Sequence, residues 1–263
     1  MAAALDGDFS HAHGAAVKCL FCSLDWVGPE RGLEVAGRLK GEVGGVKLGA
    51  EYVFLNGLGA LEPFHALGLP ILLDLKLHHL PRVVSNMIRQ AAALRPFAIT
   101  VHASGGAAMM RAAAAAAHAA AQAGGFPRPK LLGVTVLTSM DESELHATGV
   151  AGPMRDHILR LAALAHSCGL DGVWTSAASL PALRAAFGPD FLLVVPGIRP
   201  VWSASDDQKQ IMTPGDAMRG GADYLVVGRP ITQASDPAAA ARRIAEEMTA
   251  ATSRSSEAAT GAR

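Results

Sequence analysis

The sequence predicts a single α/β domain, a closed (β/α)8 TIM barrel, and three observations carry that expectation. From about residue 17 onward, short β-rich apolar runs alternate with longer Ala- and Leu-rich segments, the order that yields a parallel sheet wrapped by helices. Half of the 263 residues are apolar but only 5% are aromatic, so Ala, Val, Leu and Ile must fill the core, as they do in parallel sheets covered on both faces. The apolar runs also recur often enough for a closed barrel, which needs eight strands in roughly 250 residues. No GxGxxG turn follows the first run, so an open doubly wound sheet lacks its usual mark.

In chain order the runs place strands at Val17–Leu24, Gly45–Leu48, Pro70–Leu73, Phe97–Val101, Leu131–Leu137, Gly172–Thr175, Phe191–Val195 and Tyr224–Val227. The alanine-rich stretch Ala112–Ala121 reads as the helix after the fourth strand, because alanine favours helix and its small side chain permits close packing. Nothing between residues 17 and 247 has the Ser, Gly, Pro or charge run of a linker, so residues 15–248 are expected to form one barrel. Residues 1–14 and 249–263 are small, polar and aperiodic, and are expected to be disordered.

Lys plus Arg equals Asp plus Glu at 23 each, which provides no global field for nucleic acid or an anionic membrane. A small anion could still be held by local cations. Cys19, Cys22 and Cys168 are too few and too uneven for a disulfide framework, and a reducing cytoplasm fits them. The start lacks a basic region followed by an apolar core, and no stretch reaches about 18 uninterrupted apolar residues, so a cytoplasmic protein without a membrane span is expected.

Polar residues cluster immediately after the expected strands, where a barrel places its reactive groups. They are Asp25, Lys47 within strand two, Asp74 and Lys76, His102, Thr138, Ser176, the Pro196-Gly197-Ile198-Arg199 turn and Gly228-Arg229. Asp74 and Lys76 lie two apart on an extended segment, which directs both to the same side. With Lys47 from the neighbouring strand they would hold one another charged, either as an ion-pair network sealing the barrel or as a site where a protonated lysine serves a carbanion. Strands seven and eight each end in Gly followed shortly by Arg, the backbone-plus-guanidinium arrangement that grips phosphate.

Other features read as ordinary. Cys19 and Cys22 form a CxxC in the expected first strand without a second pair, so buried thiols are expected rather than a zinc site. His11, His13, His118, His146 and His157 read as surface residues, and the adjacent His78 and His79 point to opposite sides, which argues against one shared metal.

The segments LDLKLHHLP, VHASGG, LLGVTVLTSMDESEL, VVPGIRP, DDQKQIMTP and ADYLVVGRPIT, in this order and spacing, resemble the bacterial orotidine 5′-phosphate decarboxylase family across about residues 20–240. The resemblance implies cofactor-independent decarboxylation of orotidine 5′-phosphate to UMP, the last step of de novo pyrimidine synthesis, by a homodimer with its site at the interface. It implies that Asp25 and Lys47 hydrogen-bond the ribose, that Asp74 sits against the departing carboxylate, and that Lys76 protonates C6. Thr138 would lie near the base, and Arg199, Gln208, Gly228 and Arg229 would hold the phosphate. No metal or organic cofactor is implied, and whether the loop Val201–Gln208 closes over ligand stays open.

Two positions depart from the family's Asp-x-Lys-x-x-Asp-Ile-Pro-x-Thr: His79 stands at the second aspartate and Val83 at the threonine. In the family both reach across the dimer to the partner's site. Imidazole removes a negative charge beside Lys76, and valine removes a hydroxyl whose partner is left unpaired at about 1–3 kcal/mol. A roughly ten- to thousandfold loss of activity is therefore expected, corresponding to transition-state contacts worth about 1.4–4 kcal/mol. Two alternatives stay open: a UMP- or OMP-binding paralogue impaired in catalysis, and a Mg²⁺-dependent sugar-phosphate enzyme of the same superfamily, which would lack the GVTVLTSM and DDQKQIMTP segments.

Overall fold

Eight parallel strands pair in chain order and β1 closes on β8, forming a complete barrel. The strands are β1 (Leu20–Ser23), β2 (Gly45–Gly49), β3 (Ile71–Leu77), β4 (Ala98–His102), β5 (Lys130–Val134), β6 (Gly172–Trp174), β7 (Leu192–Val195) and β8 (Tyr224–Val227). This computed structural model describes residues 13–25, 27–203 and 212–260, the last eight of these by backbone alone.

The alternation along each strand sorts side chains into two cores. Leu20, Cys22, Val46, Leu48, Ile71, Leu73, Ile99 and Val101 face the helices, whereas Phe21, Leu72, Ala98, Leu132, Trp174, Val194 and Val226 fill the barrel. The rings of Phe21, Phe97 and Tyr224 plug its N-terminal end, with centroids 5.2–5.7 Å apart. Fully burying a side chain the size of Phe21 contributes about 1.5–3 kcal/mol. The alanine run forms part of helix Gly106–Gly124, whose buried face includes Met109, Met110, Ala113, Ala116 and Ala117. Its small residues let helix Pro81–Ala93 pack closely alongside.

A recurring device secures the barrel's lower rim. Asp171, just before β6, accepts from the backbone of Leu131 at 2.8 Å and from both terminal nitrogens of Arg128. Asp223, just before β8, likewise accepts from the Leu193 backbone at 2.7 Å and from one terminal nitrogen of Arg184 at 2.6 Å. Each carboxylate satisfies a backbone donor at a strand start and is itself neutralised.

Several boundaries differ from the sequence reading. Residues 13–19 are helical, so β1 starts at Leu20 rather than Val17 and Cys19 lies outside it. The expected strand at Leu131–Leu137 ends at Val134, while β3 runs on to Leu77 and takes Asp74 and Lys76 within it. The last helix spans Pro237–Thr260, past the expected domain boundary at 248, because Thr249 and Ala251 still find buried positions against the barrel. Residues 1–12 lie outside the described residues.

Candidate active site

The strand direction carries Ser23, Lys47, Asp74, Thr100 and Trp174 to the C-terminal mouth, where a cavity of about 310 Å³ opens. Its walls include Asp25, Lys47, Asp74 and Lys76 on one side, Thr138 and Trp174 on another, and Gly197, Arg199, Gly228 and Arg229 opposite. Thus the residues picked from separate strands converge, apart from those noted below.

The charged side forms an alternating row. Lys47 bonds Asp25 and stands 3.6 Å from Asp74, and Asp74 lies 2.5 Å from Lys76. Asp25 is fixed from below by the Gly49 backbone, which donates to its Oδ1 at 2.6 Å, and by Ser23 Oγ at 3.3 Å. A side chain at position 49 would strike this carboxylate, since an added Cβ would lie 2.9 Å from Oδ1.

Burial and charge act against each other along the row. Burial pushes the Lys47 ammonium down to about 8, even though Asp74 favours its charge; Lys76 adds to the lowering. For Asp74 burial favours the neutral acid, but Lys47 and Lys76, with hydrogen bonds from Lys76 and Thr100, outweigh it and hold the carboxyl below its usual range. The row therefore keeps Asp74 ionised and Lys47 mainly protonated at neutral pH, and it ends at Lys76, whose ammonium lies 5.3 Å from the Trp174 ring centroid.

Asp74 and Lys76 meet for a different reason than regular alternation. Between Leu73 and Leu77 β3 loses register with β4, and Lys76 takes a left-handed φ of 46°. A bulge, not a flat strand, turns the lysine toward the carboxylate.

On the opposite side Gly197, at φ 74°, turns the chain after β7 and leads to buried Arg199, which donates to the Ile198 carbonyl at 3.0 Å. Gly228 ends β8 against Ser23 and is followed by Arg229. Two guanidinium groups on one wall give the cavity a pole suited to a dianionic phosphate. Gln208 and most of the Val201–Gln208 loop lie outside the described residues.

Some sequence expectations do not join the cavity. His79 is exposed, stands outside the cavity wall of its own chain, and accepts the Leu80 N–H at 2.8 Å. His102 ends β4 half-buried with its ring 5.4 Å from His78, and Ser176 turns to Ser179 at 3.2 Å. Conversely, Ser23, Thr100 and Trp174 escaped the sequence reading. Each sits on the inward alternation of its strand, Ser23 and Trp174 on the cavity wall and Thr100 off it, bonded to Asp74. Yet a hydroxyl or indole inside an apolar run does not show whether it meets a cavity or a core.

Cys19, Cys22 and Cys168 are free thiols, and burial pushes Cys22 far above the ordinary thiol range. Among the described residues, no helix is long and apolar enough to cross a membrane.

With this geometry in view, the model of the orotidine 5′-phosphate decarboxylase / HUMPS family matches residues 18–244. The chain belongs to that family. A relative from Rhodospirillum rubrum named orotidine 5′-phosphate decarboxylase is 50% identical over 230 residues, covering 87% of this chain and 93% of its own. Another of the same name, from Gluconobacter oxydans, is 47% identical over 236 residues, 88% of this chain and 98% of that protein. The crystal structure of the orotidine 5′-phosphate decarboxylase from Lactobacillus acidophilus superposes with a TM-score of 0.76 at 35% identity, over 87% of this chain and 98% of the other.

Proposed function

We propose that the chain is an orotidine 5′-phosphate decarboxylase, which converts orotidine 5′-phosphate to UMP and CO₂ without metal or organic cofactor. The observation that carries this reading is the buried row Asp25–Lys47–Asp74–Lys76 facing an arginine pole across one small cavity. The relatives' names point to the same reaction.

In this reading Arg199 and Arg229 hold the phosphate, with Gln208 and the Gly228 backbone contributing, while Asp25 and Lys47 bond the ribose hydroxyls. Thr138 lies beside the base. The C6–carboxylate bond breaks, CO₂ departs, and the electron pair stays on C6. The Lys76 ammonium stabilises that charge as it forms and delivers a proton to it; the resulting amine regains a proton from solvent. Asp74 holds the Lys76 side chain in place through its Oδ2. Binding energy from the remote phosphate orders the site. A Mg²⁺-dependent sugar-phosphate enzyme fits less well, because Asp25 and Asp74 are already engaged by lysines.

A homodimer in the cytoplasm completes the proposal. Beside the β2 and β3 ends a hollow of about 400 Å³ is lined almost wholly by apolar groups, including Val53, Phe54, Leu75 and Met87. Phe54 on its rim is 89% exposed, which favours a second copy as cover. In such a dimer the family resemblance implies that His79 reaches toward the neighbouring cavity. Free thiols suit a reducing compartment.

One observation favours an impaired paralogue as the second reading: the row ends at Lys76 in a chain that offers His79 and Val83 where the family carries Asp and Thr. Loss of orotidine 5′-phosphate absorbance, with and without EDTA, separates the readings. Metal-independent turnover is expected, rising about ten- to thousandfold in the His79→Asp/Val83→Thr variant. Tight UMP binding with no turnover identifies the paralogue, and inactivity of both proteins without nucleotide binding removes the assignment.

A further inference from the structure

The bulge in β3 leaves a specific backbone problem. Leu73 pairs with Ile99 and Leu77 with Val101, so the three residues Asp74, Leu75 and Lys76 oppose the single residue Thr100 on β4. The regular ladder cannot supply a carbonyl to each β3 amide across such a mismatch, and an unpaired buried amide is costly. Thr100 fills the gap with its side chain. The Lys76 N–H donates to Thr100 Oγ1 at 2.8 Å, and the same hydroxyl donates to Asp74 Oδ1 at 2.8 Å. Thr100 has no solvent exposure, so water is not an available substitute for either bond.

We propose that Thr100 is a positioning residue for the decarboxylation, its hydroxyl locking the bulged Lys76 backbone to the Asp74 carboxylate; the proposal rests on the decarboxylase reading above. A hydroxyl is suited to the place because it accepts and donates at once, which neither a methyl nor an ammonium does. The lock acts on both members of the reacting pair. It holds Lys76 in the left-handed conformation that β-carbon sterics disfavour, and it fixes which Asp74 oxygen remains for the Lys76 ammonium, namely Oδ2. Charge on Asp74 is then shared between Lys47 and Lys76 on one oxygen and Thr100 on the other. Thr100 touches no substrate; its effect passes through the two residues it joins.

Thr100→Val preserves shape and removes both bonds, Thr100→Ser keeps both and removes the methyl, and Thr100→Ala serves as a second lesion should valine fold poorly. Expected for valine and alanine is a roughly 10- to 100-fold fall in kcat with KM nearly unchanged, while serine stays within a few-fold of the parent. Hydrogen exchange at the Lys76 amide, followed by NMR, supplies a readout independent of turnover: faster exchange is expected in valine and alanine, not in serine. If the parent protein proves inactive, the decarboxylase reading fails on its own and the exchange rates still decide whether Thr100 holds the bulge. Unchanged Lys76 exchange in the valine and alanine variants, or a serine variant as impaired as valine, overturns the proposal.

Discussion

At the β2–β3 side of the cavity the functional groups hold one another: Asp25, Lys47, Asp74 and Lys76 form a chain of contacts, and Thr100 ties its last two members to the backbone. At the β7–β8 side, Arg199 and Arg229 come from separate strand ends, each placed by its own glycine turn. The first side is cooperative and the second modular. Damage to one member of the row should therefore disturb its neighbours and the chemical step, whereas damage to the arginine pole should mainly weaken grip on the phosphate.

The largest effect expected from that difference is at the end of the row. Lys76→Ala should lower kcat by roughly 10³-fold or more while UMP binding changes far less, since the ammonium matters most where charge develops at C6. Single-turnover absorbance and calorimetric UMP titration check both halves of this expectation. An equal loss in both would make Lys76 a binding group instead.

Arg229→Ala should raise KM by roughly 10- to 100-fold, the range for losing a charge-assisted bond of about 1.5–3 kcal/mol, with a smaller change in kcat. Orotidine without its phosphate should be indifferent to the substitution. If the unphosphorylated nucleoside suffers as much, the arginine pole is misassigned.

Acidity offers a finer test of the cooperative side. Lys47 is charged below its pKa of about 8 and neutral above it, so kcat/KM should fall as pH rises through about 8. Lys47→Arg keeps the charge at all accessible pH values and should move that limb upward, although geometry lowers the absolute rate. Asp74 sets no limb near neutrality, because its carboxyl is held below the ordinary range and protonates only in stronger acid. A limb that stays near 8 in the arginine variant points to a group other than Lys47.

The smallest effect on a single chain is expected on the apolar face. Phe54→Glu places a charge on a residue already exposed and should leave the barrel's stability within about 0.5 kcal/mol. Sedimentation at micromolar concentration should nonetheless report a shift from dimer to monomer. A dimer that survives the substitution places the interface elsewhere.

The modular side was the more legible in sequence. VVPGIRP and YLVVGRP each carry strand, turn and cation in consecutive residues, so no distant contact is needed to recognise them. The cooperative side was legible in composition but not in cause. Asp74 and Lys76 stood out as charges in an apolar run, yet their meeting depends on a register shift against β4. Trp174 on the cavity wall and Thr100 behind Asp74 gave no signal at all, because a parallel strand buried on both faces has no polar alternation to reveal which side faces the barrel interior.

By itself the sequence determined the eight-strand barrel, its order and the end at which the charged and polar residues gather, because strand periodicity and strand-end polarity are local properties written in neighbouring residues. It also placed His79 and Val83 where the family resemblance implies Asp and Thr. Only the tertiary structure decided that β3 bulges, that Thr100 joins Asp74 to Lys76, that Thr249 and Ala251 beyond residue 248 are still buried, and that His79 lies outside its own chain's cavity. Each depends on contacts between segments far apart in the chain, and sequence neighbours do not encode the register in which two distant strands finally meet.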